Sequence, residues 1–153
     1  MNAQVQAAQA AQAAPEVLRF NDVQIGRTQV IVHTVLEAEV NAFGRLSGDL
    51  NPLHMDQAFA ERSPFGRRVV HGLLTAALVS AAHTELTGPG FAYVGQELRF
   101  LGPVFIDDTV TINVTVVEKK EAKRILVMDT MVRNQRGKVV LSGLSALKEL
   151  KFD

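Results

Sequence analysis

Asp49 and His54 are side chains able to exchange protons near neutral pH, and they stand five residues apart in Ser47-Gly48-Asp49-Leu50-Asn51-Pro52-Leu53-His54. On a continuous helix that spacing would turn them to different faces. Asn51-Pro52 interrupts any such helix, because proline biases the residue before it away from helical angles, and a broken segment lets both side chains point at one small volume. Such a pair suits the addition of water to a conjugated carbonyl. One group takes a proton from water while a proton is delivered to the neighbouring carbon, and each well-placed group of this kind contributes roughly 10²- to 10⁴-fold in rate. The same spacing also fits a plainer arrangement, with Asp49 capping the helix that follows and His54 at the surface. Spacing alone does not separate the two.

A second constellation is His71-Gly72 at the head of an apolar run. A helix N-terminus offers unpaired N–H groups and the positive end of the helix dipole, and glycine lets a ligand approach the backbone closely. It can serve as an oxyanion site or be an ordinary glycine at a tight helix start. Gly72, Ala76 and Ser80 recur every four residues and form a stripe of small side chains that predicts close packing. Ser80 either meets a site group or bonds back to a carbonyl one turn earlier. His83 lies on another side of the helix and reads as structural or partly exposed. His33 has no neighbouring acid in the sequence. His54, His71 and His83 share no ligand-like spacing, so no metal is expected. Neither a G-x-S-x-G elbow nor a P-loop is present, and cofactor-free chemistry is the simplest account.

The elements that must position these residues can be read from periodicity. Gln29 to Val32 predicts a strand. Thr34-Val35-Leu36-Glu37 matches a capping box opening a helix with Val40, Phe43 and Leu46 on one face. Ser47-Gly48-Asp49 and Asn51-Pro52 stop that helix, Asp49 to His54 is irregular, and a short helical stretch surrounds Met55 to Glu61. The run Leu73 to Ala82 is apolar around its whole circumference and predicts a core helix buried on most sides. Strands follow at Val94 to Leu101, Thr109 to Glu118, Ile125 to Arg133 and Lys138 to Lys148, the last two joined over Asn134-Gln135-Arg136-Gly137. In the second, Val110, Ile112, Val114 and Val116 alternate with Thr109, Thr111, Asn113 and Thr115, the period of a sheet covered on one face. A long helix on an antiparallel sheet is an α+β layer architecture.

Composition narrows the partners. With 153 residues, 47% of them hydrophobic, the chain fits one domain with a sizeable core. Sixteen basic residues balance sixteen acidic ones, which argues against nucleic acid or an anionic membrane as a partner. The absence of cysteine excludes disulfides and thiolate chemistry and fits a cytoplasmic location. Residues 1–15 are almost wholly Ala and Gln, which predicts a disordered tail ahead of a single domain over residues 16–153. No apolar run reaches the roughly 20 residues needed to cross a bilayer.

The stretch Phe43 to His54, with its Gly-Asp-x-Asn-Pro-x-His core, resembles the signature of the MaoC-like, (R)-specific enoyl-CoA hydratases, or type 2 hydratases. The resemblance continues through Val70-His71-Gly72-Leu73-Leu74, Tyr93-Val94-Gly95-Gln96, Leu98-Arg99-Phe100 and Pro103-Val104-Phe105, roughly from Val23 to Leu150. It implies a hot-dog fold, a long central helix wrapped by an antiparallel sheet, paired into a homodimer. It also implies reversible syn addition of water to a trans-2-enoyl-CoA to give an (R)-3-hydroxyacyl-CoA. The family's catalytic pair falls on Asp49 and His54, its oxyanion glycine on Gly72 and a site-lining serine on Ser80, while Asn51 would orient the pair. Arg67, Arg68 and Arg99 are candidates for the phosphates of CoA, against the plainer reading of solvated charges. The rival readings are a 3-hydroxyacyl-[acyl-carrier-protein] dehydratase, a hot-dog thioesterase and a non-catalytic acyl-CoA binder.

Overall fold

The computed structural model describes residues 17–152, and the Ala/Gln segment read as a tail lies outside them. Five antiparallel strands, β1 (Thr28–Thr34), β2 (Phe91–Phe100), β3 (Thr109–Lys120), β4 (Ile125–Asn134) and β5 (Val139–Glu149), form one sheet in the order β1-β3-β4-β5-β2. Between β1 and β2 come the helices α1 (Glu37–Ser47), α2 (Pro52–Met55), α3 (Gln57–Glu61) and the long α4 (Gly72–Thr87). The sheet wraps α4 in the hot-dog arrangement. No described helix is long and apolar enough to cross a membrane.

The alternation predicted for β3 is present: Val110, Ile112, Val114 and Val116 are fully buried, and the intervening polar residues are half-buried on the other face. They meet Val79, Ala82 and Leu86 of α4 in the core, with Leu126, Met128 and Leu141 from β4 and β5. The β4–β5 hairpin turns where expected. Gly137 takes the left-handed conformation at φ 75° that favours glycine, and the Asn134 side chain accepts from the N–H groups of Arg136 and Lys138.

Three expectations change. The helix expected to open at Thr34 starts two residues later. Thr34 ends β1, where its hydroxyl meets that of Thr109 at 2.8 Å, and the reaching acid is Glu39, which accepts from the Leu36 N–H at 2.8 Å. The same carboxylate meets His33 Nε2 at 3.0 Å, so His33 has an acidic neighbour that linear sequence did not reveal. On α1, Val40 is buried as expected, but Leu46 is 87% exposed because the helix ends beyond the edge of the core.

The third change concerns α4. Thr75, Val79, Ala82, His83 and Leu86 are buried against the sheet, but Leu73 is 65% exposed and Ala77, Ser80 and Ala81 are exposed too. One five-stranded sheet covers one side of a helix that is apolar all round, and the other side of α4 faces out.

His83 is one of the buried positions. Both ring nitrogens lack a hydrogen-bond partner among the described residues, and the ring meets Tyr93 edge-on at 4.8 Å. Burial pushes its pKa down to about 4, so the folded protein holds it neutral. The unfolded chain takes up a proton near pH 6.5 that the folded chain refuses until about pH 4, so this group's contribution is present above pH 6.5 and is lost as pH falls toward 4. We expect His83→Leu to flatten the acid-side decline in melting temperature by the equivalent of a few kcal/mol at most, measured by thermal melts across pH 4 to 8. An unchanged slope would show that His83 is not the titrating group.

Candidate active site

The segment after α1 is built by short-range bonds. Gly48 closes the helix with φ 77°, its N–H donating to the Gly44 carbonyl at 3.0 Å. Asp49 Oδ1 accepts from the Asn51 N–H at 3.3 Å, and Asn51 Oδ1 accepts from the Leu53 N–H at 3.0 Å. Asn51 therefore caps α2, and Pro52 occupies the first helical position, where a missing N–H costs nothing. The proline that ends one helical pattern thus begins another. The stretch read as irregular contains a single helical turn with His54 on it.

His54 Nδ1 lies 2.7 Å from the carbonyl oxygen of Val69. A carbonyl only accepts, so Nδ1 carries the hydrogen, and the neutral ring presents the lone pair of Nε2. His71 is anchored the same way, with Nε2 donating to the backbone carbonyl of Asp49 at 2.9 Å. Its ring stacks on that of His54 with centroids 4.1 Å apart at 30°, and Phe43 closes the far side at 5.0 Å. His71 is 1% exposed. One buried ring therefore touches both candidate residues.

Residues 68–71 run as an extended strap beneath this turn. The Val69 N–H donates to Leu53 O at 3.2 Å, Val69 bridges Phe105, and the Val70 N–H donates to Val104 O at 2.8 Å. The strap ends at Gly72, where the first N–H groups of α4 have no intrahelical acceptor. A Cβ on Gly72 would lie 2.8 Å from Cε1 of Phe100, so glycine is what lets that ring lie against the helix start.

Asp49, His54 and Gly72 all line one cavity of about 500 Å³, whose other walls include Phe65, Leu73, Phe100 and Leu101. Thr75 also lines it, and the buried Thr75 hydroxyl has no partner among the described residues. A carboxylate, an imidazole lone pair and a helix N-terminus facing one largely apolar cavity can orient a water beside an activated carbonyl.

The other candidates are placed differently. Asn51 shapes the segment without lining the cavity, and Ser80, two turns along α4 from Gly72, is exposed and away from the cavity walls. Its hydroxyl makes no bond to a carbonyl one turn back; instead its own carbonyl accepts from Thr84 Oγ1 at 3.3 Å. Arg68 is not a surface cation. It is 6% exposed, with Nε 2.6 Å from His54 O, Nη1 2.6 Å from Glu37 Oε1 and Nη2 2.6 Å from Asn41 Oδ1, so each of its three nitrogens already has a protein acceptor. Arg99 lines a second concavity, of about 590 Å³, with Glu97, Asp129 and Ser142, on the opposite side of β2 from Phe100. Arg67 stays exposed, stacked 3.9 Å from the Phe105 ring centroid.

Folding also gathers what linear spacing kept apart: ligand-capable atoms of Asp49, His54 and His71 lie within 4.8 Å of one another. Two of the imidazole nitrogens already donate to carbonyls, which leaves a carboxylate, His54 Nε2 and the buried His71 Nδ1 as lone-pair donors. Sequence reasoning singled out His71-Gly72 for its backbone. It missed the His71 ring, the Val69 carbonyl and Thr75, whose roles depend on partners distant in sequence.

The family described as a MaoC-like domain matches residues 19–137. An (R)-specific enoyl-CoA hydratase of Aeromonas caviae is 44% identical over 112 residues, covering 72% of this chain and 84% of that protein. Another from Rhodospirillum rubrum is 38% identical over 125 residues, covering 81% and 86%. Among solved structures, the unliganded R-hydratase of Pseudomonas aeruginosa superposes with a TM-score of 0.82 at 34% identity over 90% of this chain and 88% of that one. A family match over most of the chain, close relatives in sequence and a shared fold around one helix lead to one assignment: the chain belongs to the MaoC-like family of hydro-lyases.

Proposed function

We propose that this protein catalyses the reversible hydration of a trans-2-enoyl-CoA to an (R)-3-hydroxyacyl-CoA, with Asp49 and His54 acting on one water. What carries the reading is the common opening of Asp49, the unpaired Nε2 of His54 and the start of α4 onto one cavity. The N–H groups at Gly72 would hold the thioester oxygen, where negative charge develops as water attacks. In other enzymes such a donor is worth about 3 to 4 kcal/mol.

The tautomer supports His54 as the proton acceptor. Nε2 takes one hydrogen of a water whose other hydrogen is held by the Asp49 carboxylate, and hydroxide adds to C3. The electron pair of the double bond moves onto C2 and the thioester carbonyl as an enolate. The imidazolium then returns the proton to C2 on the same face, so water is consumed, no other species is needed and the enzyme is regenerated. The CoA thioester is substrate, and the cycle draws on no metal or cofactor. Because the two groups share one water, a pH profile would report the pair rather than either residue. Arg67, exposed in the loop just before the strap, and Arg99, exposed on β2, are the arginines that remain candidates for a phosphate of CoA.

We further propose a homodimer. The outward apolar side of α4 and the unpaired edge strand β2, with Val94 51% and Phe100 54% exposed, support a second copy pairing along β2. Sedimentation or light scattering should give twice the mass of the 16.7 kDa chain, and a monomer at micromolar concentration would reject the pairing.

Crotonyl-CoA hydration, followed by loss of enoyl absorbance, tests the chemistry. Asp49→Asn and His54→Ala should each lower kcat at least about 10²-fold with the fold retained. The product should serve an (R)-specific dehydrogenase. Near-normal activity in either variant, or an (S) product, would reject the mechanism. Faster turnover on carrier-protein thioesters than on CoA thioesters would move the assignment to acyl-carrier-protein dehydration, and release of free thiol would indicate a thioesterase.

A further inference from the structure

We infer that Arg68 is a positioning residue for the proposed catalytic pair: its guanidinium holds the backbone carbonyl of His54 and so sets where Nε2 of that imidazole points. The inference rests on the hydratase reading above and adds to it a residue outside the cavity wall.

The argument starts from the size of α2. A helix of four residues has almost no hydrogen bonds of its own, and its last carbonyls lack helical partners. Here they are supplied from the strap, Leu53 O by the Val69 N–H and His54 O by Arg68 Nε at 2.6 Å. His54 is thus tied at both ends, by its carbonyl to Arg68 and by its Nδ1–H to Val69 O. Remove the first tie, and the single turn can swing away from the strap, so that the second loosens or breaks. The lone pair of Nε2 then leaves the line to the water.

The other ties of Arg68 explain why it is an arginine. Nη1 and Nη2 reach Glu37 and Asn41, four residues apart on one face of α1. A planar guanidinium places donors on three separate nitrogens and so reaches three spaced acceptors, whereas a lysine ammonium offers its three donors from one nitrogen. The guanidinium therefore locks α1, α2 and the strap into one frame. Glu37, with its side chain 62% exposed, is the end of this frame that reaches solvent. A phosphate-binding role predicts the opposite behaviour from a positioning role, since losing a phosphate contact raises KM, whereas losing alignment lowers kcat.

Arg68→Ala and Arg68→Lys should be assayed in the full chain beside wild type, with thermal melts to confirm folding. We expect kcat for crotonyl-CoA to fall about 10²-fold in Arg68→Ala while KM stays within about threefold, with millimolar guanidinium or ethylguanidinium restoring part of the rate. Arg68→Lys should show the same split with a smaller fall, and it keeps the test alive if the alanine variant does not fold. A folded Arg68→Ala with near-wild-type kcat, or a loss carried by KM alone, would overturn the inference. A second readout does not depend on turnover: the low-field proton resonance of the His54 Nδ1–H bonded to Val69 should be present in wild type and broadened or lost in Arg68→Lys. If wild type does not hydrate enoyl-CoA, the functional reading fails, and the resonance alone decides whether Arg68 positions His54. Persistence of that resonance in the lysine variant would reject the positioning role.

Discussion

The hydrogen bond from His54 Nδ1 to the Val69 carbonyl is the interaction on which the site depends. Because the acceptor is a carbonyl, the bond selects a tautomer as well as an orientation, and Nε2 of this cavity-lining ring is left with its lone pair. The rest of the local structure keeps that bond in register. Asn51 and Pro52 start the turn that carries His54, Arg68 and the Val69 N–H satisfy the carbonyls that end it, and the His71 ring fills the space behind it. The Asp49 carbonyl, accepting from His71, ties the carboxylate residue to the same frame.

This frame stands on a sheet and helix that serve a different demand. The core joins β3, β4 and β5 to one side of α4, and the N-terminus of that helix emerges beside the turn that carries His54. A helix apolar on every side would ordinarily be buried on every side. Here its outward face is left uncovered by the sheet, and the same helix delivers its dipole and open N–H groups at Gly72 to the cavity.

What could be read from sequence follows the range of each interaction. The strand pattern of β3, the stop at Gly48 and the turn at Gly137 are local, and their residues announce them. The reading of Asp49 and His54 as a converging pair came from the Asn51-Pro52 break, which is local as well. The helix start was misplaced because Thr34 and Glu37 match a capping box in sequence, whereas Leu36 has no capping side chain; Thr34 is held at the end of β1 by Thr109, and Glu39 reaches back to the Leu36 N–H instead. Arg68 was read as a surface cation because nothing near it in sequence shows Glu37 or Asn41, which stand 31 and 27 residues away. His71 was noticed for the glycine after it, while its ring acts through Asp49, 22 residues earlier.

The strap also limits how the chain can change length. From Arg68 to Gly72 each successive residue has a different obligation: a guanidinium under the turn, a carbonyl for the imidazole, an N–H for Val104, a ring for the pair and an open backbone for the helix start. Side chains of an extended segment alternate in direction, so inserting or deleting one residue would reverse every one of them at once. The loop just before it, from Pro64 to Arg67, carries no comparable set of bonds across the turn. Length variation that reshapes the cavity mouth at Phe65 is tolerable on that side of Arg68, while the five positions that follow behave as one indivisible unit.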